Sequence, residues 1–376
     1  MDRTTSISVH FARLPEPRLP RRRVHRLVDI LTIALCAVLV GADDFVAIAQ
    51  FGNEKRVWLK TFLELPGGIP THDTFGRVFA ALDPEAFNTC FLNWVRAVAP
   101  ETAKHIAIDG KTLRGSHDRP SGQSPLHLVS AWASGSGLVL GQRAVETKSN
   151  EITAIPALLE VLDLHDTTVT IDAMGCQTTI ASAIVARGGE YVLALKANQG
   201  TLFEKVKDTF ALADATQSGP RAPAEYAKTV DKGHGRIEVR RVTTISDPAI
   251  IAYLNPTGAW LHLRSIVRVE AERRFPDKVE HHTRYYLSSC STDAATHGRI
   301  IRDHWSIENQ LHWSLDVTFH EDGNRGRTGN IAENLAIVRH LALNILRQDP
   351  LKASIKGKRF KAALNDGYLS HLLGFA

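Results

Sequence analysis

Three acidic positions stand out for what surrounds them. Asp109 closes the apolar run of "HIAIDGKTLRGS" and is followed by Gly110 and Lys111. Asp172 closes a second apolar run in "TIDAMGCQ", and Glu308 lies in "HWSIENQLHWSLD". Around Glu308, the residues Ile301, Trp305, Glu308, His312 and Leu315 recur at helical spacing and share one face, apolar except for Glu308 and His312. A carboxylate on a core-turned face needs a partner, because burying an unpaired charge is costly. Singly, each acid has an ordinary alternative: Asp109 a turn with Gly110, Asp172 a helix cap, Glu308 a surface position. Gathered together, three carboxylates repel unless a cation neutralises them. Hard oxygen donors suit magnesium or manganese rather than zinc. Two such ions, about 3.5–4 Å apart, are a common device for cleaving phosphodiesters. The expected cofactor is therefore Mg2+ (or Mn2+), as two ions.

The elements that must bring these acids together can be read around them. Residues 106–109 form a buried strand that Asp109 ends. Residues 126–133 and 138–145 form two more, joined by the turn Ser134-Gly135-Ser136-Gly137. A helix over 152–164 leads to a short strand at 169–171, ended by Asp172. A helix over 178–187, stopped by Gly188-Gly189, leads to a strand at 191–195. The order β-β-β-α-β-α-β implies an α/β fold with a mixed sheet and helices packed on it. If the first and fourth strands are parallel neighbours, Asp109 and Asp172 emerge at one sheet edge, where such sheets bind their ligands. Residues 24–100 read as helices, with breaks at Pro66-Gly67-Gly68-Ile69-Pro70 and Asp83-Pro84, and with Thr71 or Asp73 as a cap. Residues 214–225 look like a linker. Beyond them lie strands at 237–245, 261–269 and 282–287, then helices from 292 to 348, so a β-rich block stands between the sheet and its closing helices.

The chain has 376 residues, 44% hydrophobic and 23% charged, as expected of a soluble protein of two or three domains. Its net charge of +5 is concentrated at the ends. Residues 1–26 carry seven arginines against Asp2 and Glu16. Residues 351–376 carry Lys352, Lys356, Lys358, Arg359 and Lys361 against Asp366. Basic ends suggest an anionic polymer, most simply nucleic acid, with solvated tails as the alternative. Four scattered cysteines without a CxxC pair fit reduced thiols in a cytosol. The apolar run 30–40 is too short to span a bilayer and reads as a buried helix rather than a signal peptide, so no membrane is expected. No P-loop or dinucleotide glycine motif calls for a nucleotide cofactor, and "SGSG" lacks the strand–turn–helix setting of a nucleophile elbow.

At this point the motifs resemble bacterial insertion-sequence transposases of the DDE type, in the ISAs-type branch that includes the H-repeat-associated proteins. "GGIPTHDTFGRVFAALDP" is similar to the family's N-terminal associated domain. "AIDGKTLRGS", "TIDAMGCQ" followed by "YVLALKANQ", and "HWSIENQLHWSLDVTFHEDGNRGR" are similar to its three acidic motifs, and "DKGHGRIEVRR" to its β insertion. The resemblance covers about residues 25 to 350. It implies an RNase H-like mixed-sheet catalytic core interrupted by a β-rich insertion and preceded by a helical N-terminal domain. The divisions expected are 1–100 (helical, with a basic arm), 101–213 (core, first part), 214–290 (insertion), 291–350 (closing helices) and 351–376 (basic C-terminal tail).

The same resemblance makes Asp109, Asp172 and Glu308 the catalytic and metal-holding residues. It implies a cytoplasmic enzyme that cuts double-stranded DNA at element ends and joins the freed 3′ hydroxyl to target DNA, with self-association on DNA. The wider superfamily's Tyr, Arg and Lys around the glutamate are replaced here by Ile301, His304 and Leu315. Arg302, Asn309, His312, Arg325 and Arg327 are the substitute phosphate contacts, joined by Lys111, Arg114 and Lys196 beside the strand ends. Two alternatives stay open: a DNA-binding relative without catalysis, and a metal-dependent nuclease without strand transfer.

Overall fold

The computed structural model describes residues 7–98, 103–117, 122, 124–145, 151–215, 224–233 and 235–374. Helix α1 (Ile7–Phe11) precedes α2 (Leu27–Val40), whose sequence is apolar apart from Asp29 and Thr32. A helix apolar all round belongs inside a protein, and α2 is buried along almost its whole length. Around it stand α3 (Phe45–Glu54), α4 (Arg56–Leu59), α5 (His72–Ala81) and α6 (Pro84–Val98). Local chemistry sets their ends. Asp44 caps α3 by accepting from Ala47 N at 2.8 Å, and Thr71 caps α5 by accepting from Thr74 N at 3.3 Å. No single helix among the described residues is long and apolar enough to cross a membrane, and α2 and α3, which together would be, are bent by 97°.

The strands are β1 (His105–Leu113), β2 (Leu126–Ala133), β3 (Leu138–Ala144), β4 (Thr168–Ile171), β5 (Glu190–Leu195), β6 (Ala224–Gly233), β7 (Arg236–Ile245), β8 (Ser265–Arg274) and β9 (Val279–Ser288). They form one 9-stranded sheet in the order β3-β2-β1-β4-β5-β9-β8-β7-β6. β1, β4 and β5 run parallel, and every other pairing is antiparallel. Side chains of β1 alternate between two cores. Ile106 and Ile108 pack with α7 (Glu151–Glu160), α8 (Thr178–Ala186), α9 (Gly200–Ala215) and α10 (Pro248–Leu254). Ala107 packs on the opposite face with α2, α6 and α12 (Ile331–Gln348).

Three expectations are corrected here. β1 does not end at Asp109 but continues to Leu113, because β2 keeps pairing with it from Ser130 to Leu126. The strands of the β-rich block join the same sheet, β9 pairing directly with β5, Val192 facing Ser288. Its strands also differ in detail. β8 starts at Ser265 rather than 261, and the edge strand β6 was not foreseen, because "AEYAKTVDKG" lies mostly exposed and carries no apolar period. Residues 214 and 215 end α9 and 224 and 225 begin β6, while the rest of the expected linker lies outside the described residues.

The segment carrying Glu308 departs most from simple periodicity. α11 (Ala294–His304) gives way to π-helical turns over Ile307–His312 and Ser314–Thr318. Trp313 N donates to Glu308 O, and Phe319 N to Ser314 O at 3.2 Å, both spanning five residues. The wider turn shifts the core positions to Ile307, Leu311 and Leu315 and leaves Glu308 exposed instead of turned to the core. π-helical turns are rare and concentrate at functional sites.

At the C-terminus, α13 (Ile355–Leu364) and α14 (Asp366–Leu372) are folded onto the body. Lys358 Nζ donates to Leu346 O (2.8 Å) and Asp349 O (2.6 Å), and the Arg359 guanidinium lies 4.3 Å from the Phe319 ring. Both are buried, so part of this end's charge serves packing rather than solvent.

Candidate active site

The parallel register pairs Ile108 with Ile171 and stops there. The next residue on each strand is Asp109 and Asp172, so the two carboxylates arise side by side where β1 and β4 part. Asp172 is held by its own turn: Met174 N (3.0 Å) and Gly175 N (3.4 Å) donate to its Oδ1. The π-helical turn delivers Glu308 to the same place. All three line a cleft of about 170 Å³ together with Thr170, Lys196, Arg284, His304 and Trp305.

The cleft is short of positive charge. Burial pushes Asp109 up to about 7, and Asp172, Glu308 and Glu151 push in the same direction. Asp172 is raised by burial and then by Glu151, with Lys196 opposing. Glu308 is raised by loss of water around it, although its side chain reaches solvent; Arg284 pulls it down and Asp172 pushes it up. Like charges this close favour the protonated form unless a cation intervenes. The donors are all hard carboxylate oxygens, which fit magnesium or manganese. Among the described residues, no three His, Cys, Asp or Glu side chains are already drawn together as a finished ligand set.

The expected phosphate contacts divide sharply. Lys196 is exposed and lines the cleft. Asn309 is exposed one residue beyond Glu308, and Arg325 is exposed along a separate groove of about 890 Å³ beside α5. Arg302 is exposed but paired with Asp231. Four others have partners within the protein. Lys111 has a side chain only 9% exposed, its Nζ at 2.7 Å from Asp316, 3.1 Å from Asp322 and 3.3 Å from Glu321. Arg114 is exposed yet sits 3.6 Å from Asp322. Arg327 donates from Nε to Gly115 O at 3.2 Å. His312 lies behind Asp109, Nδ1 to Oδ2 3.6 Å, and burial holds it down at about 4, so at neutral pH it is no cation. Lys111 of "DGKTLRGS" thus ties β1 to residues 316–322.

Two groups escaped the sequence reading. Arg284 reaches the cleft from β9, its guanidinium 4.6 Å from the Trp305 ring, and only the β5–β9 pairing brings it there. Glu151, at the start of α7, lies beside Gly110 and pairs with His127 at 2.6 Å, and its charge adds to the upward push on Asp109 and Asp172. Neither carries a local motif. Beneath the cleft, the Thr170 hydroxyl sits 2.9 Å from both His105 Nε2 and His304 Nδ1, and burial holds each ring at about 4.

Comparison with known proteins gives a family and several relatives. Residues 100–345 match the family model described as Transposase DDE domain, and residues 8–95 the model described as DDE_Tnp_1-associated. The H repeat-associated protein YhhI of Escherichia coli (strain K12), provisionally named a transposase, is 38% identical over 372 residues, covering 97% of this chain and 96% of its own. An uncharacterized protein in the dhlA 3′ region of Xanthobacter autotrophicus is 44% identical over 286 residues, 75% of this chain and 94% of its own. A piggyBac transposase solved as a synaptic complex with hairpin DNA aligns over 98% of this chain and 78% of its own at a TM-score of 0.40 and 12% identity, too distant to compare folds. The family match over most of the chain, together with full-length relatives at this identity, makes the chain a member of the DDE transposase family.

Proposed function

We propose that this protein cuts DNA at the ends of an insertion sequence and joins the freed 3′ hydroxyl to target DNA, using Asp109, Asp172 and Glu308 as its catalytic carboxylates. The observation that carries this reading is the convergence of those three acids in one cleft. The strand order β3-β2-β1-β4-β5, with β1, β4 and β5 parallel, supports an RNase H-like core over 101–213 and 291–350. Residues 214–290 would be the insertion and 1–100 the helical domain.

Asp109, Asp172 and Glu308 would hold Mg2+ or Mn2+, probed as two ions. When bound, such ions activate the attacking oxygen and stabilise the leaving one. The chain's own residues supply position and charge. Asp109 is fixed mid-strand in the sheet, and Asp172 is oriented by two backbone N–H groups. Lys196 and Arg284 stand at the cleft wall, where a phosphate charge would be met. In the first step water displaces a 3′ oxygen from phosphorus. In the second, that hydroxyl attacks a target phosphodiester, one P–O bond forming as another breaks. No covalent protein intermediate is needed, so catalysis rests on positioning and electrostatics.

Double-stranded DNA is the partner in this reading, in the bacterial cytosol. Bringing two element ends together would require self-association on DNA. The test is purified protein with magnesium and DNA bearing the element's flanking terminal repeats. Cleaved and joined products support transposition, cleavage alone supports a nuclease, and binding alone a DNA-binding relative. Asp109→Asn should abolish cleavage while leaving DNA binding nearly intact; wild-type cutting by that variant would overturn the assignment.

A further inference from the structure

Beneath the three acids runs a chain of polar atoms with a definite direction. His105 opens β1, Thr170 lies on β4, and His304 ends α11, which packs across both strands. Strand side chains alternate, so His105 shares the side of Asp109, and Thr170 the side of Asp172. The buried Thr170 hydroxyl stands between two rings, 2.9 Å from His105 Nε2 and 2.9 Å from His304 Nδ1. A hydroxyl has one proton to give. Used fully, it accepts from one ring and donates to the other. The far end of the chain decides which. His105 Nδ1 is buried with no hydrogen-bond partner among the described residues. A bare acceptor is tolerated there better than an N–H, since buried N–H groups without an acceptor are the rarer orphans. His105 therefore carries its proton on Nε2 and donates to Thr170 Oγ1. The hydroxyl donates to His304 Nδ1, which leaves the His304 proton on Nε2. In the opposite sense His105 would bury an N–H with nothing to receive it. If both rings donated to Thr170, its own proton would be stranded. His304 lines the cleft, its one hydrogen bond among the described residues is through Nδ1, and its Nε2 is not shut in as His105 Nδ1 is.

We propose that His304 is a catalytic residue of the cleft, a fixed N–H donor that meets a phosphate oxygen of the bound DNA, with Thr170 and His105 as its positioning residues. This rests on the reading of the cleft as the place where a phosphodiester is cut. Lys196 and Arg284 also line the cleft, but as charges on long stems, whereas the His304 ring is aimed from below. An uncharged donor suits this position. Another cation here would pair with the carboxylates that a metal ion needs, and a neutral ring leaves them free. Burial holds both rings at about 4, so both are uncharged at neutral pH. An N–H meeting an anionic oxygen makes a charge-assisted hydrogen bond, and one already oriented needs no rearrangement as charge shifts on the phosphate. The proton stays on the ring throughout.

The test uses the full-length chain with magnesium and terminal-repeat DNA. His304→Asn leaves an amide on the Thr170 side and nothing where Nε2 stood, whereas His304→Gln carries amide N–H groups out to that place. Single-turnover cleavage should fall about 100-fold in His304→Asn, the effect of removing one positioned donor, and recover in large part in His304→Gln. Mn2+ binding without DNA, followed by calorimetry, should match wild type in both. Wild-type cleavage by His304→Asn, or a His304→Gln no more active than it, would overturn the proposal. So would loss of Mn2+ binding in His304→Asn, which would make the ring a support for the carboxylates instead. Protein in chelator, with its histidines labelled for nitrogen magnetic resonance, gives a readout free of activity. The ring signal that His304→Asn removes should carry its proton on Nε2, and a proton on Nδ1 would overturn the proposal. If the His304 variants do not fold, Thr170→Val carries the test, because it keeps the shape and breaks the chain. His304 should then show both tautomers and cleavage should fall about tenfold; a wild-type rate overturns the proposal. If the wild-type protein cuts no DNA, the reading of the cleft falls and this role with it. Equal cutting by wild type and His304→Asn removes this role alone.

Discussion

Asp109 is partly buried among acids, and its protonation should show in the protein's stability. Its carboxyl is raised from an ordinary 3.8 to about 7 in the folded, metal-free protein. Between those values the folded state binds more protons than the unfolded state, so stability falls as pH rises through this window. Buried histidines held at about 4 act in the opposite sense below neutrality, so the share of Asp109 is read as a difference: in chelator, the melting temperature of wild type minus that of Asp109→Asn should fall between pH 5 and pH 8. Magnesium or manganese should flatten that difference at the alkaline end. A difference indifferent to pH in chelator would contradict the charge deficit. At the cleft wall, Lys196→Ala and Arg284→Ala should each weaken DNA affinity and lower the slope of affinity against salt by about one ion per removed phosphate contact. Titrations at several salt concentrations would show this. Lys111→Met should behave differently: its charge is spent on Asp316, Glu321 and Asp322, so it should leave Asp316 without its cation, take one partner from each of the other two, and lower stability, not the salt slope.

Among the elements, the helix caps and short strands could be read from local residues, but the π-helical turns could not. Thr71 caps α5 as its position before His72 suggests, and Thr71→Ala should cost about 1 kcal/mol in denaturant unfolding without changing cleavage. Helical spacing around Glu308 suggested one continuous face. In the folded chain the wider turns displace that face, because Ile307, Leu311 and Leu315 must fill the core under α12 while Glu308 turns outward. Periodicity records which residues prefer burial; it does not show where a chain inserts an extra residue per turn. β6 was missed for a related reason. An exposed edge strand buries too little to leave a pattern, and it exists because β7 offers it ten paired residues.

The whole molecule is organised by one continuous sheet with the N-terminal helices and α12 on one face. The basic C-terminus belongs to that body. Arg359 donates to Val38 O at 2.9 Å and lies 3.9 Å from Asp43, so α13 pins the start of the chain to the end. Arg359→Ala should lower the unfolding free energy by about 3 kcal/mol, as expected when a buried charge's partners are left unpaired. DNA affinity at low temperature should stay the same. A variant that keeps its stability but loses DNA binding would mean this end contacts DNA after all.

What the sequence determined by itself were the local features. These include the apolar runs ending at two aspartates, the glycines and prolines that break elements, the capping residues, and motifs long enough to identify a family. Each depends on neighbours within a few positions, and chemistry at that range survives in any fold. Only the tertiary structure decided which charges meet. It placed Asp109 and Asp172 in one register, turned Glu308 outward, brought Arg284 across from β9, gathered Lys111 into an internal network and set Glu151 beside Gly110. Those outcomes depend on pairings between distant strands, and the cost of a charge is set by the dielectric and partners the fold puts around it.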